Sequence, residues 1–263
     1  MNDILVSRSV SKTYFDTVAQ DDVVALSDIS LSIEAHEFVS VIGPSGCGKS
    51  TFLRIVAGLD TPTEGEVLVT GRKVTGPGAD RGMVFQEYAL LPWKTTEANV
   101  EFGLRLKGMP KEQRAPIVQR FIDLVGLKGF EKKYPHQLSG GMRQRAAVAR
   151  VLANNPAILL MDEPFAAVDA MTRQRLQEEL TIITASERTT VLFITHSIDE
   201  AVFLSDRVIA LSGRPGRIVA DVRIDLPRPR QWQQLVRDPD FIRYRDQLTQ
   251  CIHDGAKTIK ELT

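Results

Sequence analysis

The order of apolar and polar positions divides the chain into short apolar runs separated by polar stretches with helical spacing. Several runs are continuously apolar, which is typical of strands buried on both faces of a parallel sheet. Shorter alternation at 31–33 and 67–69 is compatible with an antiparallel layer. The pattern therefore predicts an α/β fold. The predicted strands are 37–42, 66–69, 82–85, 157–161, 190–195 and 207–211.

Between residues 87 and 155 the spacing of apolar residues becomes helical. Ile117, Phe121 and Leu124 follow one another at i, i+4 and i+7, which places them on one helix face. A second helix is expected to begin at Ser139, because serine is a favoured N-cap residue. We predict that this helical segment is inserted between two strands of the core sheet.

The composition mainly excludes classes of protein. The 33 Lys and Arg residues balance 33 Asp and Glu residues, which argues against bulk attraction to nucleic acid. Hydrophobic residues at 43% and charged residues at 25% are ordinary for a folded protein and exclude a disordered chain. With only Cys47 and Cys251, no disulfide framework is expected.

The two ends of the chain carry weaker signals. The first residues show no basic stretch followed by an apolar one, and no apolar run approaches the roughly 18–20 residues that cross a bilayer. We expect a cytoplasmic protein, and a membrane partner remains open. Residues 214–245 contain eight arginines against four aspartates, and we expect a solvated surface extension there.

The strongest chemical motif is GPSGCGKST, which matches the phosphate-loop pattern G-x-x-x-x-G-K-[ST] and stands between a predicted strand and a predicted helix. Its backbone N–H groups are expected to surround an anion near a helix N-terminus. Lys49 can reach the β- and γ-phosphates, and the Ser50 hydroxyl can bind Mg²⁺. From Cys47 only the backbone is needed. The residues predicted to bind the phosphates of a nucleotide are Gly43, Pro44, Ser45, Gly46, Cys47, Gly48, Lys49, Ser50 and Thr51.

Two further apolar runs end in polar residues. The run ILLM ends at Asp162 and Glu163, and the run VLFIT ends at His196. The carboxyl ends of parallel strands meet at one sheet edge, so these residues are expected beside the phosphate loop. Asp162 is positioned to hold Mg²⁺ through water, Glu163 to polarise the attacking water, and His196 to sense the γ-phosphate.

A second anion site is predicted at Ser139, Gly140 and Gly141, since LSGG opens a helix with bare backbone N–H groups. The combination of this motif with the phosphate loop and the Asp-Glu pair resembles the ATPase subunits of ATP-binding cassette (ABC) transporters. The resemblance spans about residues 4–225. It implies a P-loop NTPase with a RecA-like parallel sheet, an N-terminal antiparallel β layer and an inserted α-helical subdomain.

The resemblance also implies roles for single residues. Tyr14 resembles the aromatic residue that stacks on adenine, with Phe15 as a rival, and Gln86 resembles the glutamine that reaches Mg²⁺ and water. Two copies of the chain would form a head-to-tail dimer around two ATP molecules. The residues implied to act across that dimer are Ser139, Gly140, Gly141, Met142 and Asp169, where Met142 replaces the glutamine that is commoner in the family and Asp169 closes the segment AAVD.

The phrases LSGGMRQR, FAAVDAMTR and SGRPGRI resemble importers of nitrate, sulfonate, taurine and bicarbonate. That branch implies two membrane permease subunits, a periplasmic or extracellular solute-binding protein and a place on the cytoplasmic face of the membrane. The apolar stretch 88–93 is expected to help receive the permease, or else to pack in the core. The cassette is expected at 1–225, with the helical subdomain at 87–155 and an extension at 226–263. An exporter ATPase, a soluble ABC ATPase of repair or translation, and a small-molecule kinase are the alternatives.

Overall fold

The computed structural model describes residues 3–18, 20–166 and 168–260, with side chains described as far as residue 254. The described residues form ten strands and eight α-helices. The strands are β1 (Asp3–Asp16), β2 (Asp21–Glu34), β3 (Phe38–Ile42), β4 (Glu64–Val69), β5 (Arg72–Lys73), β6 (Arg81–Val84), β7 (Ile158–Asp162), β8 (Val191–Ile194), β9 (Arg207–Leu211) and β10 (Ile218–Arg223). The helices are α1 (Lys49–Ala57), α2 (Thr96–Leu106), α3 (Lys111–Leu124), α4 (Gly140–Leu152), α5 (Ala170–Ser186), α6 (Ile198–Leu204), α7 (Trp232–Leu235) and α8 (Pro239–Lys260).

The larger sheet has the strand order β10-β9-β3-β8-β7-β6. Its strands pair in parallel from β9 to β6, and β10 is added antiparallel at the edge. Every residue of β3 and β8 is buried, as expected for strands covered on both faces. The continuously apolar runs of the sequence therefore form the centre of this sheet, and the α/β prediction is confirmed.

The smaller sheet has the order β2-β1-β4-β5 and is antiparallel throughout. Its two longest strands, β1 and β2, have 14 residues each and pair with several register shifts. These irregularities interrupt the alternation of apolar and polar positions, which is why the sequence pattern revealed only short parts of the layer.

Helix α1 lies between the two sheets. Its apolar residues Phe52, Leu53, Ile55 and Val56 are buried in one core cluster together with residues of both sheets. A second core cluster covers the opposite face of the parallel sheet and includes residues of α2 to α6. The phosphate loop that precedes α1 is consequently held between two packed layers.

The segment between β6 and β7 is helical, with α2, α3, a 3-10 turn (Pro135–Gln137) and α4. Phe121 is buried, and Ile117 and Leu124 pack against the same core. Ser139 is the N-cap of α4, as predicted, and its Oγ accepts a bond from the Met142 N–H at 3.3 Å. No helix of the described residues is long and apolar enough to cross a membrane.

The C-terminal segment is not a solvated extension, and that expectation is wrong. Trp232 and Phe241 are buried in the same core cluster as Phe203, and the Trp232 ring stacks on Phe203 with centroids 4.2 Å apart. Arg230 is only 4% exposed. The number of arginines suggested an exposed segment, because composition does not show which arginines are buried against partners. Arg230 is buried and donates to several backbone carbonyls.

Candidate active site

The register of the parallel sheet brings the predicted polar residues to one edge. Val84 pairs with Met161, and Asp162 pairs with Ile194, which in turn pairs with Val41. The residues that follow these positions therefore lie at the same edge of the sheet. They are Gln86 after β6, Asp162 and Glu163 at and after β7, His196 after β8 and Gly43 after β3.

The phosphate loop runs from the end of β3 to the start of α1. Gly48 has φ +95°, a left-handed conformation, and precedes the helix as its N-cap residue. A Cβ atom on Gly48 would lie 2.6 Å from a Leu26 methyl carbon and 2.8 Å from the Ala25 carbonyl oxygen. The loop is thus pressed against β2, and only glycine fits at this position.

Lys49 lies inside the loop. It is 6% exposed, and its Nζ donates to the carbonyl oxygens of Gly43 at 2.8 Å and Pro44 at 3.0 Å. Cys47 is fully buried, and burial raises the pKa of its thiol. A raised pKa keeps the thiol protonated and unreactive, so the loop offers a cation and backbone N–H groups rather than a nucleophile.

Ser50 and Asp162 meet directly. The Ser50 hydroxyl donates to Oδ1 of Asp162 at 2.9 Å, which joins the first turn of α1 to the end of β7. Burial raises the pKa of the Asp162 carboxyl, opposed by the Ser50 bond and the Lys49 charge. This pair offers two oxygen donors, of the kind that Mg²⁺ prefers.

Glu163 and His196 form the second polar pair. Oε2 of Glu163 lies 3.0 Å from Nδ1 of His196, in a contact where the ring N–H donates to the carboxylate. The backbone of Glu163 has φ +41°, a left-handed conformation that costs about 1 kcal/mol in a residue with a Cβ. Its N–H donates to the Ile194 carbonyl at 3.0 Å, which helps to hold this conformation. Such strain concentrates at functional sites.

A buried polar network lies next to His196 and supports its backbone. No local sequence pattern predicts this network. The Thr195 hydroxyl donates to Glu200, and Nε2 of Gln177 donates to the other Glu200 oxygen at 2.5 Å. Burial raises the pKa of the Glu200 carboxyl. Thr195 is adjacent to His196 in the chain, so the network fixes the backbone from which the histidine extends.

Tyr14 lines the same cleft as the phosphate loop, whereas its rival Phe15 does not line it. The Tyr14 hydroxyl donates to Oδ2 of Asp60 at 2.7 Å, and Lys12 donates to Oδ1 of Asp60 at 2.7 Å. The Lys12 ammonium also stands 4.9 Å from the Tyr14 ring centroid. Asp60 and Lys12 thus fix the ring at the edge of the cleft.

The residues predicted to act across a dimer lie elsewhere. Ser139 is an exposed N-cap, and none of Ser139, Gly140, Gly141 and Met142 lines the cleft of its own chain. Asp169 is the exposed N-cap of α5, accepting a bond from the Thr172 N–H at 3.1 Å, and that bond lowers the pKa of its carboxyl. Ala167 lies outside the described residues.

Gln86 is exposed in the loop after β6. Two residues later, Tyr88 reaches the start of α4, where a Cβ on Gly140 would lie 3.5 Å from its hydroxyl. Arg150 donates to the Ala89 carbonyl at 2.7 Å and holds the loop from the other side. Tyr88 and Leu90 pack against the core, while Trp93 is 70% exposed, so the apolar stretch 88–93 divides between packing and surface.

The cleft has a volume of about 410 Å³ and includes two residues that the sequence did not single out for it, Ala25 and Arg214. Arg214 follows β9, whose carboxyl end lies at the same sheet edge as that of β3. The rule that placed His196 at the site therefore applies to this loop as well. The described residues that line the cleft are Tyr14, Ala25, Ser45, Gly46, Gly48, Lys49, Ser50, Thr51, Glu163 and Arg214.

Known proteins resemble the chain over most of its length. Residues 26–166 match the ABC transporter family. The nitrate import ATP-binding protein NrtD of Synechocystis sp. is 49% identical over 90% of this chain and 90% of its own. The taurine import ATP-binding protein TauB of Roseobacter denitrificans is 44% identical over 93% of this chain and 92% of its own.

A solved structure agrees with these relatives. The dimeric post-hydrolysis state of the ATP-binding cassette MJ0796, bound to ADP and Pi, superimposes with a TM-score of 0.72. It is 35% identical to this chain and covers 85% of it and all of that structure's chain. This likeness agrees with the parallel sheet, the antiparallel layer and the helices described above. The chain belongs to the ABC transporter family.

Proposed function

We propose that this chain is the ATP-hydrolysing subunit of an ABC importer for a small anion. The observation that carries the proposal is the convergence of a phosphate loop, the Ser50–Asp162 pair and the Glu163–His196 pair at one sheet edge. This set matches the needs of phosphoryl transfer to water: an anion cradle, oxygen ligands for a cation and a carboxylate for the water. The relatives named for nitrate and taurine import support the direction and the solute class.

ATP would bind with its phosphates in the loop and its base at Tyr14. Backbone N–H groups of residues 45–51 and the N-terminus of α1 would face the phosphates. Lys49 would exchange its contacts with the Gly43 and Pro44 carbonyls for the β- and γ-phosphate oxygens, and Tyr14 would stack on adenine.

Mg²⁺ fits the oxygen donors that are present. Ser50 would bind it directly and Asp162 through water, with Gln86 approaching from the loop after β6. No group of three or more His, Cys, Asp or Glu that could hold a metal occurs among the described residues, so the phosphates would complete the coordination. Held by these residues, Mg²⁺ would supply positive charge that offsets the negative charge developing on the phosphoryl group.

Glu163 would orient and polarise the attacking water. Its carboxylate is restrained by the contact with His196 and by the backbone bond to Ile194. With Nδ1 engaged by Glu163, the Nε2 side of His196 remains for the transferred phosphoryl group. Lys49 would stabilise the same negative charge.

A second copy of the chain would complete each site. None of Ser139, Gly140, Gly141 and Met142 at the N-terminus of α4 lines the cleft of its own chain, and Ser139 is exposed, so this helix start is left for another ligand. In a head-to-tail dimer, that helix start would contact the γ-phosphate of ATP held by the other copy, and Asp169 would lie at the interface. The dimeric state of the solved cassette supports this arrangement.

Two membrane permease subunits would dock beside β6. A groove of about 520 Å³ lies there between β6 and α2. It is lined partly by Met83, Phe102 and Leu106, and Leu106 is 74% exposed. An exposed apolar side chain in this groove favours a protein partner. The chain would thus sit on the cytoplasmic face of the membrane, and a periplasmic or extracellular solute-binding protein would join the complex through the permease.

The test is the variant Glu163→Gln in the complex with its permease. We expect unchanged ATP affinity, hydrolysis slowed by about 10²- to 10⁴-fold, and an ATP-bound dimer that persists in size-exclusion chromatography. Glu112→Gln, on the exposed face of α3, is the matched control and should behave as the wild type. Hydrolysis by Glu163→Gln at the wild-type rate would refute the assigned role.

Transport assays separate the importer from its alternatives. The tagged chain should co-purify with an integral membrane protein, and vesicles containing the complex should take up nitrate or taurine when ATP is supplied on the cytoplasmic side. Efflux instead of uptake would identify an exporter, while co-purification with ribosomes or DNA would contradict a transporter role.

A further inference from the structure

A cation in the wall of the cleft has no part in the chemistry described above. Arg214 lies in the loop between β9 and β10 and lines the cleft together with Tyr14, Ser45 and Gly46. Lys49 and Arg214 are the basic side chains among the described residues of this wall. Lys49 is buried within the phosphate loop, whereas Arg214 is exposed at its rim.

The loop that carries Arg214 is held in one conformation by its own bonds. The Ser212 N–H donates to the Arg217 carbonyl at 2.9 Å, and the Arg217 N–H donates to Ser212 Oγ at 2.9 Å. The same hydroxyl donates to the Pro215 carbonyl at 3.0 Å. These contacts close the loop across its base and leave Arg214 at its tip.

The loop is also fixed against the phosphate loop. The Gly216 N–H donates to the Ala25 carbonyl, and the Ser27 N–H donates to the Gly216 carbonyl, both at 3.0 Å. A Cβ atom on Gly216 would lie 2.1 Å from the Cys47 carbonyl oxygen, so glycine is required for this approach. Arg214 is therefore positioned by backbone that is hydrogen-bonded to β2 and touches the loop expected to hold the phosphates.

The guanidinium of Arg214 has no partner among the side chains and backbone groups that the structure describes. No hydrogen bond or ion pair joins it to any residue that the structure describes, in contrast to Arg207, which pairs with Asp221, and Arg228, which pairs with Asp206. An arginine without a carboxylate partner, beside a site for a polyanion, retains its donors for that ligand.

We propose that Arg214 binds the phosphate chain of the nucleotide held by its own chain. This inference rests on the proposed ATP-binding function. The guanidinium, at the rim of the cleft, would add a second positive charge to the one supplied by Lys49. A contact with the phosphates rather than the base is favoured because the Arg214 loop packs on Cys47 of the phosphate loop, and because phosphate is the anionic part of the ligand.

The test compares nucleotide affinities of Arg214→Ala, Arg214→Lys and Arg217→Ala in the full-length chain. Arg217 belongs to the same loop and is exposed, but it does not line the cleft. Titration calorimetry with MgATP and MgADP should give binding that is about five- to tenfold weaker for Arg214→Ala, as expected for one partly exposed charge-assisted contact. Arg214→Lys should recover part of the affinity, and Arg217→Ala should match the wild type.

Further measurements make the result decisive. The loss for Arg214→Ala should shrink as salt is raised, and the ratio of GTP to ATP affinity should stay unchanged. Equal affinity of Arg214→Ala and wild type would overturn the inference, as would a changed GTP to ATP ratio, which would indicate a contact with the base. Lys49→Ala is measured in parallel. If the wild type does not bind MgATP, the proposed function fails. If Lys49→Ala loses binding but Arg214→Ala does not, only the inference about Arg214 fails.

Discussion

Replacing Arg230 by alanine should strongly destabilise the protein, because this arginine joins the C-terminal segment to the end of α6. Its Nη1 donates to the carbonyl oxygens of Val202 (3.0 Å), Phe203 (2.9 Å) and Ser205 (2.8 Å). Its Nη2 donates to those of Ile224 (3.4 Å) and Leu226 (3.0 Å). Carbonyls at a helix C-terminus lack intrahelical partners, and a cation there also interacts favourably with the helix dipole.

The magnitude follows from two opposing contributions. Nη1 has only two N–H groups for its three carbonyl contacts, so together with the bond from Nη2 to Leu226 the arginine makes about three full bonds. At about 2 kcal/mol for a bond from a charged group they offer about 6 kcal/mol. Burial lowers the pKa of Arg230 well below its ordinary value, to about 10, and this shift corresponds to a cost of about 3 kcal/mol for carrying the charge. The net contribution is about 3 kcal/mol in free energy of unfolding, within the range for breaking a buried charged contact.

The assay is thermal and urea denaturation of Arg230→Ala, Arg230→Lys and Arg237→Ala. A loss of about 3 kcal/mol corresponds to a Tm lowered by roughly 6–12 °C in a chain of this size. Arg230→Lys should recover little, since a single ammonium cannot reach carbonyls on both sides. Arg237 is exposed in the same segment and serves as control. A loss below about 1 kcal/mol for Arg230→Ala would refute the reasoning.

Three further predictions concern the active site and the chain end. Asp162→Asn should raise the Tm of the nucleotide-free protein at pH 7 and abolish most Mg²⁺-dependent hydrolysis. Burial raises the pKa of this carboxyl, so its ionisation lowers the stability of the folded state as the pH rises above the pKa of the unfolded chain. A lowered Tm would contradict this. Cys47→Ala should retain hydrolysis, because the buried thiol does not line the cleft; a loss beyond tenfold in an ATPase assay would assign it a role. A chain ending at residue 225 should aggregate or unfold at lower temperature than the full chain, because it exposes Phe203, and equal melting curves would disprove this.

The sequence could predict the centre of the fold because its strands are buried on both faces. The run before Gly43 and the run before Asp162 are continuously apolar for this reason, and each is read without knowledge of its neighbours. The N-cap at Ser139 could also be predicted from the sequence, because a cap depends on residues within one turn of the helix. The boundaries proposed at residues 87, 155 and 225 stay predictions.

Pairing in space lay beyond the sequence pattern. The 14-residue strands β1 and β2 contain register shifts that erase the period of two, so their full length was not visible. The contact between Tyr14 and Asp60 joins residues 46 positions apart, and no local pattern connects them. Arg230 and Arg237 carry the same charge in the same segment, yet one is buried and the other exposed.

The sequence by itself determined the chemistry that this protein carries: a phosphate loop after a buried strand, a carboxylate pair after another and a capped helix that opens with glycines. Those features depend on neighbours within a few residues, and local physics is sufficient to read them. Only the tertiary structure decided which distant groups meet at the cleft, such as Asp60 at Tyr14 and Arg214 in the wall of the cleft. Such meetings are set by strand order and register, which arise from the packing of the whole chain.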